Sequence, residues 1–169
     1  MWQDEIAQDD DQTFQPTDAG NGAALHEVTT DGAALLRVAI PPDGVASGDV
    51  DIDLFVLNSA GETVAESTNG GTDEIVDLVL PADDTYSVYV HGWQTVTPTT
   101  PVTTYAWVVS ATPGGSLDVT GPSSATIGEV GTIDASWTGA TAGEWHLGAV
   151  SHSDADGLLG LTLVEVDNR

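Results

Sequence analysis

Residues 48–56 read GDVDIDLFV. Val50, Ile52 and Leu54 alternate with Asp49, Asp51 and Asp53, which is the period-two pattern of a strand with one face buried and one face wet. The same alternation recurs along the chain. Leu36, Val38 and Ile40 share a face in ALLRVAI; Tyr86, Val88 and Val90 do so in TYSVYVH. Ile133, Ala135 and Trp137 follow in TIDASW, then Trp145, Leu147 and Ala149 in WHLGAV. DEIVDLVL, TTYAWVVSA and LLGLTLVEV supply further strands, the last with Gly160 placed for a bulge. Turn residues separate these runs: PPDG at 41–44, NSAG at 58–61, NGG at 69–71, PADD at 81–84, TPGG at 112–115 and TGATAG at 138–143. No segment carries a helical stripe. The expected fold is therefore all-β, an antiparallel β-sandwich of jelly-roll or fibronectin/immunoglobulin-like type.

Three blocks are expected. Residues 1–22 hold five aspartates, one glutamate and few large apolar groups, and read as an acidic arm or linker on which Trp2, Ile6 and Phe14 could dock. Residues 23–112 read as a sandwich. Residues 113–169 supply the last strands, which either complete that sandwich or form a second packed sub-unit divided from it near Pro113. MWQDEIAQDD lacks the basic and then apolar pattern of a signal peptide, and further sequence is expected upstream.

The charge is extreme. Asp and Glu number 27, Lys and Arg together two (Arg37 and Arg169), and the formal net charge is −25. A basic face for phosphate cannot be built from two arginines, so nucleic acid and anionic membranes are not expected partners. A cation is. The absence of cysteine removes disulfides and thiolate chemistry.

On an extended strand Asp49, Asp51 and Asp53 root their carboxylates roughly 7 Å apart. Adjacent pairs then repel by about 0.6 kcal/mol in water and about 2.4 kcal/mol at an effective dielectric of 20. A covered face needs a cation, and calcium, which takes oxygen ligands at about 2.3–2.6 Å, suits an adjacent pair plus a loop carboxylate. The acidic turns at Asp73-Glu74 and Asp83-Asp84 could supply that carboxylate. Calcium is thus the expected cofactor, with Asp49, Asp51 and Asp53 as its site; a solvated acidic face that discourages edge pairing explains the same residues. His91 and His146 fall opposite the apolar faces and read as solvated rim residues. His152, beside Asp154 and Asp156, reads as part of a polar hairpin tip, with a metal site as the sharper alternative. Trp107, Trp137 and Trp145 are in phase with apolar neighbours and are expected in the core. Trp93, before the loop QTVTPTTPVTT, either caps the core or contacts a ligand such as a sugar or peptide.

No nucleophile–base motif, phosphate loop or H-E-x-x-H stretch is present, so no catalytic residues are expected. The run DIDLFVLNSAGETVAESTNGGTDEIVDLVLPADDTYSVYVHGW resembles the pre-peptidase C-terminal β-sandwich of secreted bacterial proteases. Its acidic D-x-D-L-[FY]-V strand, glycine-containing hairpin, acidic–apolar strand and T-Y-x-V-x-V strand come in that family's order. The stretch VTGPSSATIGEVGTIDASWTGATAGEWHLGAVSHSDADG resembles the closing strands of the fibronectin type III-like domain of subtilisin-like serine proteases. Pro122 to Gly128, Thr132 to Trp137, Trp145 to Asp154 and Leu158 to Val166 match its elements. Together the two likenesses span residues 24–167. They imply a secreted, calcium-tolerant, non-catalytic module of a subtilisin-like protease, partnered by the upstream catalytic domain and by protein substrate. An extracellular carbohydrate-binding or adhesive sandwich is the alternative from another class.

A charge of −25 spread over the surface is self-repulsive, and raising the ionic strength to 1 M shortens the Debye length to about 3 Å. The melting temperature should therefore climb with sodium chloride. A flat or falling curve would mean that local partners already neutralise the carboxylates.

Overall fold

The alternating runs form twelve strands in the computed structural model, which describes residues 1–45, 48–96 and 98–169. The chain divides into two units, Met1–Ala111 and Thr112–Arg169. In the first, β1 (Trp2–Ile6), β8 (Thr100–Ser110), β3 (Ala33–Ile40) and β6 (Glu74–Val79) make one antiparallel sheet, in that order. The second sheet runs β2 (Ala23–Thr30), β7 (Asp84–Gln94), β4 (Asp51–Leu57) and β5 (Thr63–Ser67), also antiparallel. Their facing sides share one buried cluster: Leu36, Val38 and Ile40 from β3, Ile52, Leu54 and Val56 from β4, Tyr86, Val88 and Val90 from β7, and Val76 and Val102 from β6 and β8. This is a β-sandwich, and the alternation of residues 50–56 decides which side of β4 enters it. Burying each Val, Leu or Ile of that cluster contributes about 1.5–3 kcal/mol.

The N-terminal residues differ from the expected arm. Trp2–Ile6 is an edge strand paired with β8 from Trp2↔Thr104 to Ile6↔Thr100. Its inward residues alternate: Ile6 is fully buried, and Trp2 packs on the core and stacks on His26 of β2 at 4.2 Å. Asp4 accepts from His26 Nε2 at 2.8 Å. Strands from the two sheets thus close one open edge of the sandwich with a ring pair and a hydrogen bond.

Residues 7–22 then cross the outer face of the second sheet as a strap. Phe14 stacks on Phe55 of β4 at 4.0 Å and meets Tyr89 of β7 edge-on. With Ala23 and Leu57 these rings form a small second apolar cluster outside the sandwich. Two glycines let the backbones approach. A Cβ on Gly92 would lie 2.3 Å from the Ala7 carbonyl oxygen, and one on Gly22 would lie 2.7 Å from the Asp9 Cβ. In the space so left, Gly92 N–H donates to the Gly22 carbonyl and Asp9 N–H donates to the Gly92 carbonyl, both at 2.8 Å.

In the second unit β9 (Leu117–Thr120) pairs with β10 (Asp134–Trp137), and β11 (Trp145–Asp154) with β12 (Gly157–Asp167). The register shift in the latter pair falls between His152 and Ser153, opposite Leu158 and Gly160, so the bulged residue is Leu159 beside the expected glycine. No residue of this unit is buried. The core expectation therefore fails for Trp137, which is 47% exposed, and for Trp145, which is half-buried beneath the Arg169 guanidinium at 4.4 Å. Each strand of a hairpin can alternate correctly and still lack a second layer to cover its apolar side. Trp107 is likewise half-buried, stacked on Tyr105 at 5.6 Å.

Gly92→Ala should destabilise the first unit by about 1–3 kcal/mol, because backbone rather than a flexible side chain stands in the way. Gly70→Ala, with nothing within 4 Å of the added carbon, should be nearly neutral. Denaturant titration of both variants separates steric strain on the strap from a general glycine effect; equal losses would dismiss the close-approach argument.

Candidate functional site: a buried aspartate–histidine–aspartate clasp

His91 is the centre of the most unusual chemistry in the molecule. It lies on the outer side of β7, where the alternation reading made it a solvated rim residue, yet it is only 1% exposed. The strap is the reason. Asp53, directly opposite on β4, reaches His91 Nδ1 at 3.2 Å, and Asp9 of the strap reaches Nε2 at the same distance. Asp53 and Asp9 are themselves 6% and 5% exposed. Phe14 and Phe55 both stand edge-on to the imidazole, at 5.8 and 5.9 Å. Asp9 Oδ2 also accepts from Thr13 N–H at 3.0 Å, which ties the carboxylate to its own loop.

Both ring nitrogens face carboxylate oxygens, an arrangement that only an imidazolium satisfies in full. Burial by itself pushes the His91 pKa down, but the hydrogen bonds and charges of Asp53 and Asp9 outweigh it, and the net displacement is upward. Burial likewise pushes Asp9 up; the His91 hydrogen bond, the Thr13 N–H and the His91 charge reverse this and hold it below the ordinary carboxylate value.

A third carboxylate joins from the strap. Asp18, at the end of the short 3-10 turn Pro16–Asp18, is half-buried and accepts from Gln15 N–H. One ligand atom each of Asp9, Asp18 and His91 lie within 4.8 Å of one another. Among the described residues this is the group of His and carboxylate side chains that converges as a cation cage would.

The expected calcium residues do not converge in that way. Asp49 precedes β4, is exposed, and offers its backbone carbonyl to Gln94 Nε2 at 2.9 Å. Asp51 starts the strand and accepts from Gly71 N–H at 2.9 Å, capping the 69–71 turn. Asp53 belongs to His91. A register shift at Asp51/Ile52 breaks the straight strand on which a shared acidic face depends, and the strap covers Asp53. The acidic turns proposed as co-ligands are also engaged elsewhere. Asp83 accepts from Gly32 N–H at 2.7 Å and Asp84 from Ser59 N–H at 3.1 Å. Glu74 is fully buried in β6, where Ser67 Oγ–H and Asn69 Nδ2–H donate to its Oε2. Burial raises the Glu74 pKa; those two donors oppose the rise and the charge of Asp53 adds to it.

The remaining candidates separate cleanly. Trp93 sits beside the same register shift, is 38% exposed and belongs to neither buried cluster, so it does not cap the core. Thr97, in the loop that follows it, lies outside the described residues. His152 Nε2 meets Thr162 Oγ1 at 2.8 Å, and Asp154 accepts from the Asp156 and Gly157 N–H groups, which makes 154–157 a capped hairpin tip. His146 is partly exposed, with Glu144 3.4 Å from its Nε2. No protein-family model matches the chain, and no curated protein matches it.

The pH dependence of the clasp follows from the directions of these shifts. Asp9, lowered in the folded state, adds stability above the ordinary carboxylate range and loses it as the pH falls through its folded value. His91, raised, adds stability that is complete below about pH 6.5 and lost as the pH rises through its folded value. Glu74, raised from 4.5, also favours the folded state on the acid side. Metal-free protein should therefore be most stable between about pH 4 and 6.5 and weaken towards pH 9. His91→Gln should flatten the decline above pH 6.5, leaving only the part due to Glu74 and to general repulsion. Superimposable slopes for the two proteins in thermal melts would show that His91 is not charged when folded.

Proposed function

We propose that this chain is a non-catalytic accessory module of a secreted subtilisin-like serine protease, which contacts and stabilises the catalytic domain or holds protein substrate beside it. The β-sandwich and the order of motifs over residues 51–93 and 119–167 support the reading. The observation that carries it is the bareness of the second unit. Residues 112–169 form two hairpins without a single buried residue. Ile127 and Val130 are fully exposed, Leu159 is 70% exposed, and Ile133 and Trp137 are also open to solvent. Apolar surface of this kind marks a face built to be covered by another protein. The rival reading, a carbohydrate-binding module, calls for aromatic rings laid flat side by side. Tyr105 and Trp107 lie near-parallel, with ring centroids 5.6 Å apart and both rings half-buried, so the choice of the accessory role rests on the bareness of the second unit and not on this pair.

A secreted subtilisin-like catalytic domain mixed with this chain should slow amide exchange across β9 to β12 and melt at a higher temperature than alone. The isolated chain should hydrolyse neither casein nor chromogenic peptides. Turnover that persists through purification to homogeneity, or unchanged exchange in residues 117–167 across several such catalytic domains, would overturn the proposal.

A further inference from the structure

We infer that Asp9, Asp18 and His91 form a binding site for a first-row divalent cation of the zinc(II) class, with Asp53 as the group that orients the histidine. The inference stands apart from the accessory-module reading and needs no partner protein.

Three observations carry it. The first is convergence: donor atoms from two carboxylates and one imidazole come within 4.8 Å of one another, and His91 Nε2 and Asp9 Oδ2 are 3.2 Å apart. That last spacing is the edge of a coordination sphere with bonds of about 2.0–2.2 Å. The second is the far side of the ring. Nδ1 points at Asp53 Oδ2, so a proton held there leaves the Nε2 lone pair aimed at Asp9 and Asp18. A metal-bound histidine whose other N–H donates to a carboxylate is the arrangement that fixes the tautomer and strengthens the ligand.

The third is charge. Asp9 and Asp53 are more than nine-tenths buried and Asp18 half-buried, with a single imidazolium among them. The chain has no lysine; Arg37 forks Asp77 at 2.7 Å and Arg169 holds Asp167. Three carboxylates against one histidine leave negative charge in a largely dry place, and a divalent cation that displaces the Nε2 proton to solvent balances it better than the proton does.

The donor set decides the ion. An imidazole nitrogen with two carboxylate oxygens suits zinc, whereas calcium asks for six to eight oxygens. Two of the three ligands lie on the strap and one on β7, so the ion would rivet residues 7–22 to the sheet. Entry is from the Asp18 side, the only member of the trio open to solvent.

The test uses the full chain, stripped with chelator and dialysed into 0.5 M sodium chloride so that the diffuse acidic surface is screened. Titration with zinc chloride should give one equivalent bound per chain and a melting temperature raised by more than ~5 °C at saturation. Asp18→Asn, a change at a half-exposed position, should keep the circular dichroism of the parent and weaken binding at least ~10-fold. His152→Gln, on β11 of the second unit, should bind as the parent does. Substoichiometric binding, retention of affinity in Asp18→Asn, or its loss in His152→Gln would each overturn the assignment. So would a melting shift from calcium chloride equal to that from zinc, which would mark a hard-ion site built from other carboxylates.

Discussion

A histidine buried between two carboxylates, in a chain with two arginines and no lysine, is the constraint around which the first unit is arranged. His91 can be satisfied on Nδ1 by its cross-strand neighbour Asp53, but its Nε2 needs a partner from outside the sheet. Only the strap supplies one, and it can do so only if residues 7–22 lie directly on β7. Hence Gly92 and Gly22, which remove the side chains that would hold the backbones apart. Hence too Phe14, whose stacking on Phe55 excludes water from the ion pair and so strengthens it. The sheet β2-β7-β4-β5 consequently buries residues on both of its faces, one against the sandwich partner and one beneath the strap.

The other carboxylates solve a related problem in a different way. With no lysine to pair with, many of them accept from backbone N–H groups in turns: Asp51 from Gly71, Asp83 from Gly32, Asp84 from Ser59, Asp154 from Asp156 and Gly157. A hydrogen bond to a charged acceptor is stronger than one to a neutral acceptor. Acidity that looks like a global liability is in this way converted into local turn specification. Asp84 shows the consequence, its pKa held low by the Ser59 hydrogen bonds and the Thr85 N–H.

The strands of the sandwich were legible because period two is a local property. Val50, Ile52 and Leu54 do face the core, as do Leu36, Val38 and Ile40. The clasp was not legible, because Asp9 and His91 are 82 residues apart and nothing near either of them signals the other. Composition actively misled: an Asp-rich N-terminus with few apolar groups reads as a linker, although Trp2, Asp4 and Ile6 already alternate like the strand they form. His91 was assigned to a solvent face for the right reason, since it does point away from the sandwich core. What alternation cannot report is that a second segment covers that face. Asp49, Asp51 and Asp53 meet different partners for the same kind of reason, since a register shift intervenes between Asp51 and Ile52 and the strap covers Asp53. In the second unit, alternation placed the strands but could not say whether a second layer exists to bury Trp137.

The strap and the sandwich differ in how much each loses on opening. Among the described residues the sandwich core joins fifteen that are buried, and parting its sheets would expose them. The cluster beneath the strap comprises Ala23, Leu57 and Tyr89 with the two phenylalanines, and much of what else holds it is the ion pair. When the strap lifts, water reaches Asp9, Asp53 and His91 together, so the charges regain solvation as they lose one another. The cost of lifting is therefore mainly that of the Phe14 contacts and a few backbone hydrogen bonds, a fraction of the global stability. Within the first unit, opening at the strap therefore costs less than parting the two sheets, and the charge state of the clasp adjusts that cost.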